Sequence, residues 1–236
     1  MKNLILVRHG QSVWNLSNRF TGWIDVELTE EGKKEAEKSG ELIKNLNIPI
    51  VKYFSSPQKR AYETLSLILK RLGNDNTHII KAWQLNERHY GKLTSLNKKD
   101  TEDKYGKAQV FKWRRSWNIS PPAMEEDDLN YKKIINSYPD IPKDKFPKSE
   151  SLQETYNRVI PYFDKTIYPT VEKNHVIISA HGNSLRALYK KIFNISDSNI
   201  VNLNIPTGNP LLIEFKNISE VKQFRYLDET RSEKIL

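Results

Sequence analysis

The sequence of 236 residues contains no cysteine. This absence excludes a disulfide framework, a thiolate zinc site, an iron–sulfur cluster and a cysteine nucleophile. Because nothing in the chain calls for an oxidising compartment, we expect the protein to be cytoplasmic. The first apolar run, residues 4–7, ends at Arg8 and is shorter than the core of ~7–15 residues that a secretory signal requires.

Long hydrophobic runs are equally absent. No stretch approaches the ~18 apolar residues of a membrane span, so we expect no membrane partner. Two motifs that bind phosphate, GxxxxGK(S/T) and GxGxxG, are missing as well. A phosphate ligand would therefore have to be held by side chains and short turns.

The charges that are present are unbalanced toward the cations. Lys and Arg number 38 against 29 Asp and Glu, which gives a formal net charge of +9. With 37% hydrophobic and 28% charged residues, the composition is that of a globular chain and not of a disordered polycation. The excess charge indicates an anionic partner: nucleic acid, an acidic surface or a small anionic substrate.

Short apolar runs alternate with longer amphipathic stretches along most of the chain. The pattern predicts buried strands at residues 4–7, 51–55, 79–80 and 176–178, with closing strands at 211–215 and 221–226. It predicts helices over about 30–46, 152–167 and 185–193, and another that begins at Ser56-Pro57 with Ser56 as N-cap. Such alternation is typical of an α/β fold, a three-layer α/β/α sandwich with a mainly parallel central sheet. We expect a single domain over residues 1–236, with an irregular helical insertion at about 85–148.

Two of the predicted strands end alike. Residues 4–12, LILVRHGQS, align with residues 176–184, VIISAHGNS, at an offset of 172. The carboxyl ends of parallel strands open onto one edge of a sheet, where ligands bind. If the two strands are neighbours, His9 and His181 face each other there and suit an oxyanion held between two imidazoles. The alternative is that each histidine only ends a strand and satisfies local backbone groups.

The neighbours of these histidines favour phosphate over a metal ion. Arg8 is a fixed cation beside His9, so it opposes a metal and attracts an anion, and Arg60 lies near the start of the Ser56-Pro57 helix. A neutral imidazole nitrogen can attack phosphorus and carry the phosphoryl group covalently. The hypothesis from the residues is a metal-independent phosphoryl carrier.

The sequence around the first histidine resembles the histidine phosphatase superfamily, and further blocks resemble its cofactor-dependent phosphoglycerate mutases nearly end to end. The first block alone supports only the superfamily, whereas all of them in this order point to the mutase branch. The blocks are LVRHGQS (6–12), FTGW (20–23), LNERHYG (85–91), WRR (113–115), AHGNSLRAL (180–188) and NIPTG (204–208).

The resemblance implies a phosphoglycerate mutase-like fold and an isomerase that interconverts 3-phosphoglycerate and 2-phosphoglycerate in glycolysis and gluconeogenesis. It implies 2,3-bisphosphoglycerate as primer and intermediate, no metal, and a homo-oligomer, most often a dimer. His9 would become the phosphohistidine, with His181 stabilising the transferred group. Arg8 and Arg60 would neutralise its oxygens, and Glu87 would be the general acid/base.

The same resemblance implies a set of substrate-binding residues that surround the catalytic ones. They are Gly10, Gln11, Ser12, Asn15, Thr21, Gly22, Arg88, His89, Tyr90, Lys98, Arg114, Arg115, Gly182 and Asn183.

Three alternatives stay open. A phosphomonoesterase of the same superfamily is one, because mutase and phosphatase differ mainly in whether water reaches the phosphohistidine, and residues 129–148 look shortened relative to the family. The WRRSW segment at 113–117 is otherwise a candidate nucleic-acid patch, although no recognised nucleic-acid motif is present and we expect no such partner. A catalytically idle phosphate-binding module is the third, but it should lack His9, Glu87 or His181.

Overall fold

A mixed six-stranded sheet lies at the centre of the computed structural model, which describes residues 2–217 and 220–235. The strands are β1 (Asn3–Arg8), β2 (Ile50–Ser55), β3 (Ile80–Lys81), β4 (His175–Ala180), β5 (Leu211–Asn217) and β6 (Glu220–Tyr226). Their order across the sheet is β3-β2-β4-β1-β5-β6. The first four are parallel to one another, whereas β5 and β6 are antiparallel additions at one side.

Helices connect the strands. They are α1 (Val13–Leu16), α2 (Glu30–Lys44), α3 (Lys59–Leu72), α4 (Lys98–Tyr105), α5 (Lys107–Arg115), α6 (Leu129–Ser137), α7 (Leu152–Tyr162), α8 (Tyr168–Lys173) and α9 (Gly182–Ile192). A π-helical turn, Phe163–Ile167, joins α7 to α8 directly after Pro161. Proline removes a helical hydrogen bond, which accounts for the wider turn at this point.

Alternation of side chains along β1 divides the core between the two faces of the sheet. Leu4 and Leu6 pack with residues of α7, α8 and α9 on one face. Ile5 and Val7 pack with residues of α2 and α3 on the other. Because successive side chains of a strand point to opposite faces, a strand that is apolar throughout has to be covered on both sides. The predicted three-layer sandwich with a mainly parallel sheet is confirmed.

The register of β1 against β4 reproduces the offset of the sequence alignment. Leu4 pairs with Val176, and Arg8 with Ala180, so every pair differs by 172 residues. The backbone N–H of His9 then donates to the carbonyl oxygen of Ala180 at 3.0 Å. The two strands are therefore neighbours that end at the same height.

The predicted N-cap at Ser56 is wrong. Helix α3 begins at Lys59, and the backbone N–H of Lys59 donates to the carboxylate of Asp25 at 2.7 Å. Since a distant carboxylate satisfies this first-turn donor, the helix does not need the hydroxyl of Ser56. That hydroxyl is buried and bonded to His181 instead.

Residues 85–148 contain α4, α5 and α6 with irregular segments between them. Two small apolar clusters hold this region against the rest, one around Phe20 and Val110 and the other around Trp23. The division of the chain into one domain with an insertion stays a prediction. In the ranges 2–217 and 220–235, no helix combines the length and the apolar character needed to cross a bilayer.

Candidate active site

Two imidazoles lie side by side at the carboxyl ends of β1 and β4. The ring centroids of His9 and His181 are 5.1 Å apart, and the ring planes are inclined by 58°. Both side chains are buried. The arrangement expected from the paired HG motifs is therefore present in the structure.

The nitrogen atoms of the two rings have different partners. Nδ1 of His9 lies 2.7 Å from the carbonyl oxygen of Gly10, which fixes the proton on Nδ1 and leaves Nε2 with its lone pair. Nε2 of His181 lies 2.7 Å from the hydroxyl of Ser56. Nδ1 of His181 is buried and has no hydrogen-bond partner among the described residues.

Both histidines are held in the neutral form. Burial, followed by the positive charges of Arg60 and Arg8, places the pKa of His9 well below its ordinary value of 6.5. Burial, Arg60 and His9 act in the same direction on the pKa of His181. A neutral imidazole is the nucleophilic form, so the environment favours attack by His9.

Two arginines flank the histidine pair, Arg60 fully buried and Arg8 half-buried. Arg8 donates from Nη1 to the carbonyl oxygen of Ile205 at 2.7 Å, while its Nε has no described partner. Arg60 donates from Nη2 to the carbonyl oxygen of Gly22 at 2.9 Å and from Nη1 to that of Ile24 at 3.1 Å. Neutral carbonyl partners leave the positive charge of each guanidinium uncompensated, which suits binding of an anion.

Glu87 is the single carboxylate that lines the pocket, as far as the described residues go. Its Oε1 accepts three hydrogen bonds, from the backbone N–H of Arg88 at 2.7 Å and from the backbone and side-chain nitrogens of Asn183 at 3.1 and 2.9 Å. A Cβ atom built at Gly182 would lie 3.7 Å from both Arg8 Nε and Glu87 Oε2. Gly182 therefore lies between the flanking arginine and the free carboxylate oxygen.

Further cations line the pocket beside Arg8 and Arg60. Seven lining residues are Lys or Arg, namely Arg8, Arg19, Arg60, Lys98, Arg114, Arg115 and Arg186. Burial lowers the pKa of Lys98, and burial with the nearby Arg88 and Arg115 lowers that of Arg186 to about 9. The pocket is thus strongly positive, and it fits a small ligand that carries several negative charges.

Most of the predicted site residues meet in this pocket. Lining residues that the sequence predicts are Arg8, His9, Asn15, Thr21, Arg60, Glu87, Tyr90, Lys98, Arg114, Arg115, Gly182 and Asn183.

The other predicted residues are not among those that line the pocket. Gln11 points to the start of α2, where its side-chain oxygen accepts from the hydroxyl of Thr29 at 3.0 Å. Ser12 caps α1 and bonds to Asn15, so it holds a lining residue without lining the pocket itself. The remaining residues outside the lining are Gly10, Gly22, Arg88, His89 and His181.

His89 faces away from the pocket. Its ring packs at 6.0 Å from that of Trp23 and 6.5 Å from that of Tyr131, and its Nδ1 accepts from the N–H of Gly91. Gly10 is confined for another reason, because a Cβ there would come within 2.1 Å of the carbonyl oxygen of Gly32. Both positions support the site through packing.

Six lining residues escape the sequence prediction: Arg19, Phe20, Arg186, Leu203, Asn204 and Ile205. Phe20, Arg186, Asn204 and Ile205 lie inside sequence blocks that carry the family resemblance, so those blocks hold a signal for them. Arg19 and Leu203 each adjoin such a block. Arg186 is the most informative of the six, since it donates to the side-chain oxygen of Asn183 at 3.0 Å and so directs the amide nitrogen of Asn183 toward Glu87.

No group of three or more His, Cys, Asp or Glu residues within the described ranges is arranged to hold a metal ion. The buried donors Arg8 Nε and Arg186 Nε, which have no hydrogen-bond partner in the part of the chain that the structure describes, instead suit the oxygen atoms of a phosphate or carboxylate ligand.

Comparison of the sequence with known proteins identifies one family consistently. The model of the histidine phosphatase superfamily (branch 1) matches residues 4–224. The 2,3-bisphosphoglycerate-dependent phosphoglycerate mutase of Pelagibacter ubique (strain HTCC1062) is 46% identical over 237 residues, which cover 100% of this chain and 99% of the relative. That of Treponema denticola (strain ATCC 35405) is also 46% identical, over 96% of this chain and 92% of the relative.

Solved structures with lower sequence identity share the fold. A phosphoglycerate mutase from Bacillus anthracis str. Sterne superposes with a TM-score of 0.69 at 20% identity, over 97% of this chain and 94% of the other. A mycobacterial glucosyl-3-phosphoglycerate phosphatase superposes with a TM-score of 0.72 at 19% identity, over 96% and 97%. At such identities the likeness concerns architecture alone.

Proposed function

Because the chain belongs to the histidine phosphatase superfamily, in its family of 2,3-bisphosphoglycerate-dependent phosphoglycerate mutases, we propose that it interconverts 3-phosphoglycerate and 2-phosphoglycerate through a phosphohistidine at His9. The observation that carries the proposal is the neutral His9 beside His181, faced by one carboxylate in a pocket lined by cations. Each part of this arrangement has a separate task in a phosphoryl transfer.

His9 is the nucleophile. Its Nδ1 proton is bound by the Gly10 carbonyl oxygen, so Nε2 is the nitrogen that attacks phosphorus. The same hydrogen bond stabilises the positive charge that the ring acquires as the N–P bond forms. The fixed ring orientation spares the reaction the entropy of aligning a mobile side chain.

Arg8, Arg60 and His181 hold the transferred group. A phosphoryl group in transfer spreads negative charge over its equatorial oxygens, and preorganised cations stabilise that charge in a site from which water is largely excluded. Arg8 and Arg60 already have their guanidinium groups fixed by backbone carbonyls. His181 offers Nδ1 to an oxygen of the transferred group, because this nitrogen has no hydrogen-bond partner among the described residues. Its Nε2 stays bonded to the hydroxyl of Ser56.

Glu87 moves the proton. The hydrogen bonds to Oε1 fix the carboxylate, which leaves Oε2 to take a proton from the attacking hydroxyl and return it to the leaving oxygen. A mutase needs both directions of proton transfer in one catalytic cycle, and a single carboxylate beside the phosphohistidine serves both.

The outer cations bind the rest of the substrate. Lys98, Arg114 and Arg115 line the part of the pocket where a second phosphate or a carboxylate would bind, and Arg114 is also paired with Glu102 at 3.3 Å. 2,3-Bisphosphoglycerate fits this double arrangement, and when bound it supplies the phosphoryl group that primes His9. The chain's own residues then retain the intermediate while its orientation changes.

The proposal is tested with phosphorus NMR in the presence of a metal chelator, with 3-phosphoglycerate as substrate and with or without trace 2,3-bisphosphoglycerate. We expect 2-phosphoglycerate as the product, formed faster when the trace compound is present. Inorganic phosphate as the main product would instead favour the phosphomonoesterase alternative, and activity that depended on added manganese would exclude the mechanism.

A second experiment identifies the carrier. We expect acid-labile, base-stable phosphate on the wild-type protein after incubation with 2,3-bisphosphoglycerate, and none on His9→Ala. A cytoplasmic location and a homodimer are part of the proposal and are tested by fractionation of cells and by light scattering coupled to size-exclusion chromatography.

A further inference from the structure

The backbone that carries Glu87 has little regular structure of its own. A 3₁₀ turn, Trp83–Leu85, ends just before it, and residues 87–90 belong to no helix or strand. A segment without a hydrogen-bonded ladder is held in place by its tertiary contacts. The position of the carboxylate therefore depends on which side chains grip residues 84–89.

An ion pair between Glu150 and Arg158, defined here as the clamp, supplies most of that grip, beside Gln58, whose Oε1 accepts from the N–H of Glu87 at 3.0 Å. Nε and Nη2 of Arg158 donate to the two carboxylate oxygens of Glu150 at 2.6 and 2.9 Å. Nη1 of Arg158 donates to the carbonyl oxygen of Gln84 at 2.7 Å, and Nη2 to that of Glu87 at 3.0 Å. The guanidinium thus joins the start of the segment to Glu87 itself.

The carboxylate of the clamp holds the other end of the segment. Oε2 of Glu150 accepts from the backbone N–H of His89 at 2.8 Å, and the N–H of Glu150 donates to the carbonyl oxygen of His89 at 2.9 Å. Both clamp side chains are nearly buried, with 10% and 4% of their surface exposed. Outside the pair, all the hydrogen-bond partners of the two side chains are backbone atoms, and such a buried pair has few alternative arrangements, so it defines one path for the chain.

We propose that Arg158 and Glu150 are positioning residues, which act through the backbone of residues 84–89 to hold the Glu87 carboxylate where it exchanges protons with substrate. The inference rests on the proposed role of Glu87. Neither clamp residue lines the pocket. Loss of the clamp should therefore slow the proton transfer while substrate binding, which uses the cations of the pocket, is preserved.

Three variants of the clamp test the proposal. Arg158→Met removes the fork, Arg158→Lys keeps a positive charge but cannot bond to four oxygens in one plane, and Glu150→Gln keeps the shape with only one strong acceptor oxygen. Ile43→Ala is the control, since it removes apolar contacts of α2 in the core on the other face of the sheet, in a cluster that contains none of residues 84–89. The measurements are kcat and KM for 3-phosphoglycerate, thermal melting, and hydrogen exchange of residues 83–90.

We expect kcat of Arg158→Met to fall on the order of 10²-fold, as a carboxylate displaced by about 1 Å would cause, with KM changed less than about threefold. Arg158→Lys should recover only part of the loss, and Glu150→Gln should lose about tenfold. Exchange of residues 83–90 should rise in all three. Ile43→Ala should melt earlier, with kcat and the exchange of residues 83–90 unchanged.

Two results would overturn the inference: full kcat in Arg158→Lys, or unchanged exchange of residues 83–90 in variants that fold. An equal fall in kcat in Ile43→Ala, where only the melting temperature should change, would do the same. If Arg158→Met does not fold, Glu150→Gln carries the test. Absence of mutase activity in the wild-type protein would refute the proposed function, while hydrogen exchange would still decide whether the clamp holds the segment.

Discussion

Asn183 donates two hydrogen bonds to the same oxygen of Glu87, from its backbone N–H at 3.1 Å and from its side-chain Nδ2 at 2.9 Å. The pair joins the first turn of α9 to an irregular segment 96 residues away. Both bonds go to Oε1, so the orientation of the carboxylate is set without engaging Oε2. This division between a holding oxygen and a free oxygen leads to the first prediction.

Glu87→Gln should reduce kcat by about 10²–10⁴-fold, because the amide cannot accept and return a proton. KM should change little, since the amide oxygen can still accept from Asn183 and from the N–H of Arg88. Steady-state kinetics with 3-phosphoglycerate provide the measurement. Glu30→Gln is a control, because Glu30 is exposed on α2 and its ion pair with Lys33 lies outside the pocket. Near-normal kcat in Glu87→Gln would end the assignment.

A variant on helix α5 can separate the contribution of the outer cations to substrate binding from the chemical step. Arg115→Ala should raise KM about 10- to 100-fold with a smaller effect on kcat, because a fixed guanidinium that binds ground and transition states alike is lost. Arg115 is positioned by bonds to the carbonyl oxygen of Leu203 at 3.1 Å and to Asn204 at 2.7 Å. Lys112→Ala, on the same helix but exposed and outside the pocket, is the matched control. Equal KM values for the two variants would contradict the assignment.

Stability should depend on pH through His89. Burial, followed by the charge of Arg158, lowers the pKa of this histidine to about 3. Below pH 6.5 the unfolded chain binds a proton at His89 that the native state does not accept, so acid favours unfolding. Between pH 7 and pH 5 this residue should remove about 2 kcal/mol of the free energy of unfolding.

Urea unfolding at several pH values measures that term by comparison with His89→Gln, which keeps an acceptor near the N–H of Gly91 but does not titrate. The wild-type protein should lose more stability than the variant as the pH falls. His9 and His181 shift in the same direction, and their contribution cancels in the difference. Parallel pH profiles for the two proteins would contradict the prediction, because they would show that His89 binds a proton as readily in the native state as in the unfolded chain.

The close approach of Gly10 to Gly32 predicts a severe effect of one methyl group. Gly10→Ala would place Cβ 2.1 Å from a backbone oxygen of α2, so the loop after His9 or the helix has to move. The free energy of unfolding should fall by about 1–3 kcal/mol or more, as for other overpacked positions. Gly182→Ala is the comparison, because its nearest contacts are at 3.7 Å and it should fold with nearly unchanged stability.

The sequence predicts the frame of the site well because β1 and β4 end in the same motif. An apolar run of four residues (4–7) or three residues (176–178), followed within four positions by His and Gly, indicates a strand, its end and a turn, and the shared offset of 172 gives their register. The family blocks extend this to Glu87 and the cations. These features are local, so they can be recognised from residues that are adjacent in the sequence.

The features that the local pattern misses depend on contacts between distant residues. Ser56 looks like an N-cap in its own segment, yet Asp25 takes the first-turn donor of α3 and His181 takes the hydroxyl. His89 sits between two pocket residues in the sequence, and only the aromatic cluster around Trp23 shows that its ring turns away. Such choices are made by tertiary packing, which a single local pattern does not contain.

The set of seven cations that lines the pocket has a practical consequence for screening. Like charges held close together in a folded protein repel one another, and any polyanion that enters the pocket relieves the repulsion and binds only the native state. Sulfate, citrate and polyphosphate should therefore all raise the melting temperature. A thermal-shift assay would therefore rank compounds by their negative charge, and a polyanionic buffer that already occupies the pocket would conceal binding of the substrate. Ligand discovery for this protein has to begin in buffers of monovalent anions at low concentration.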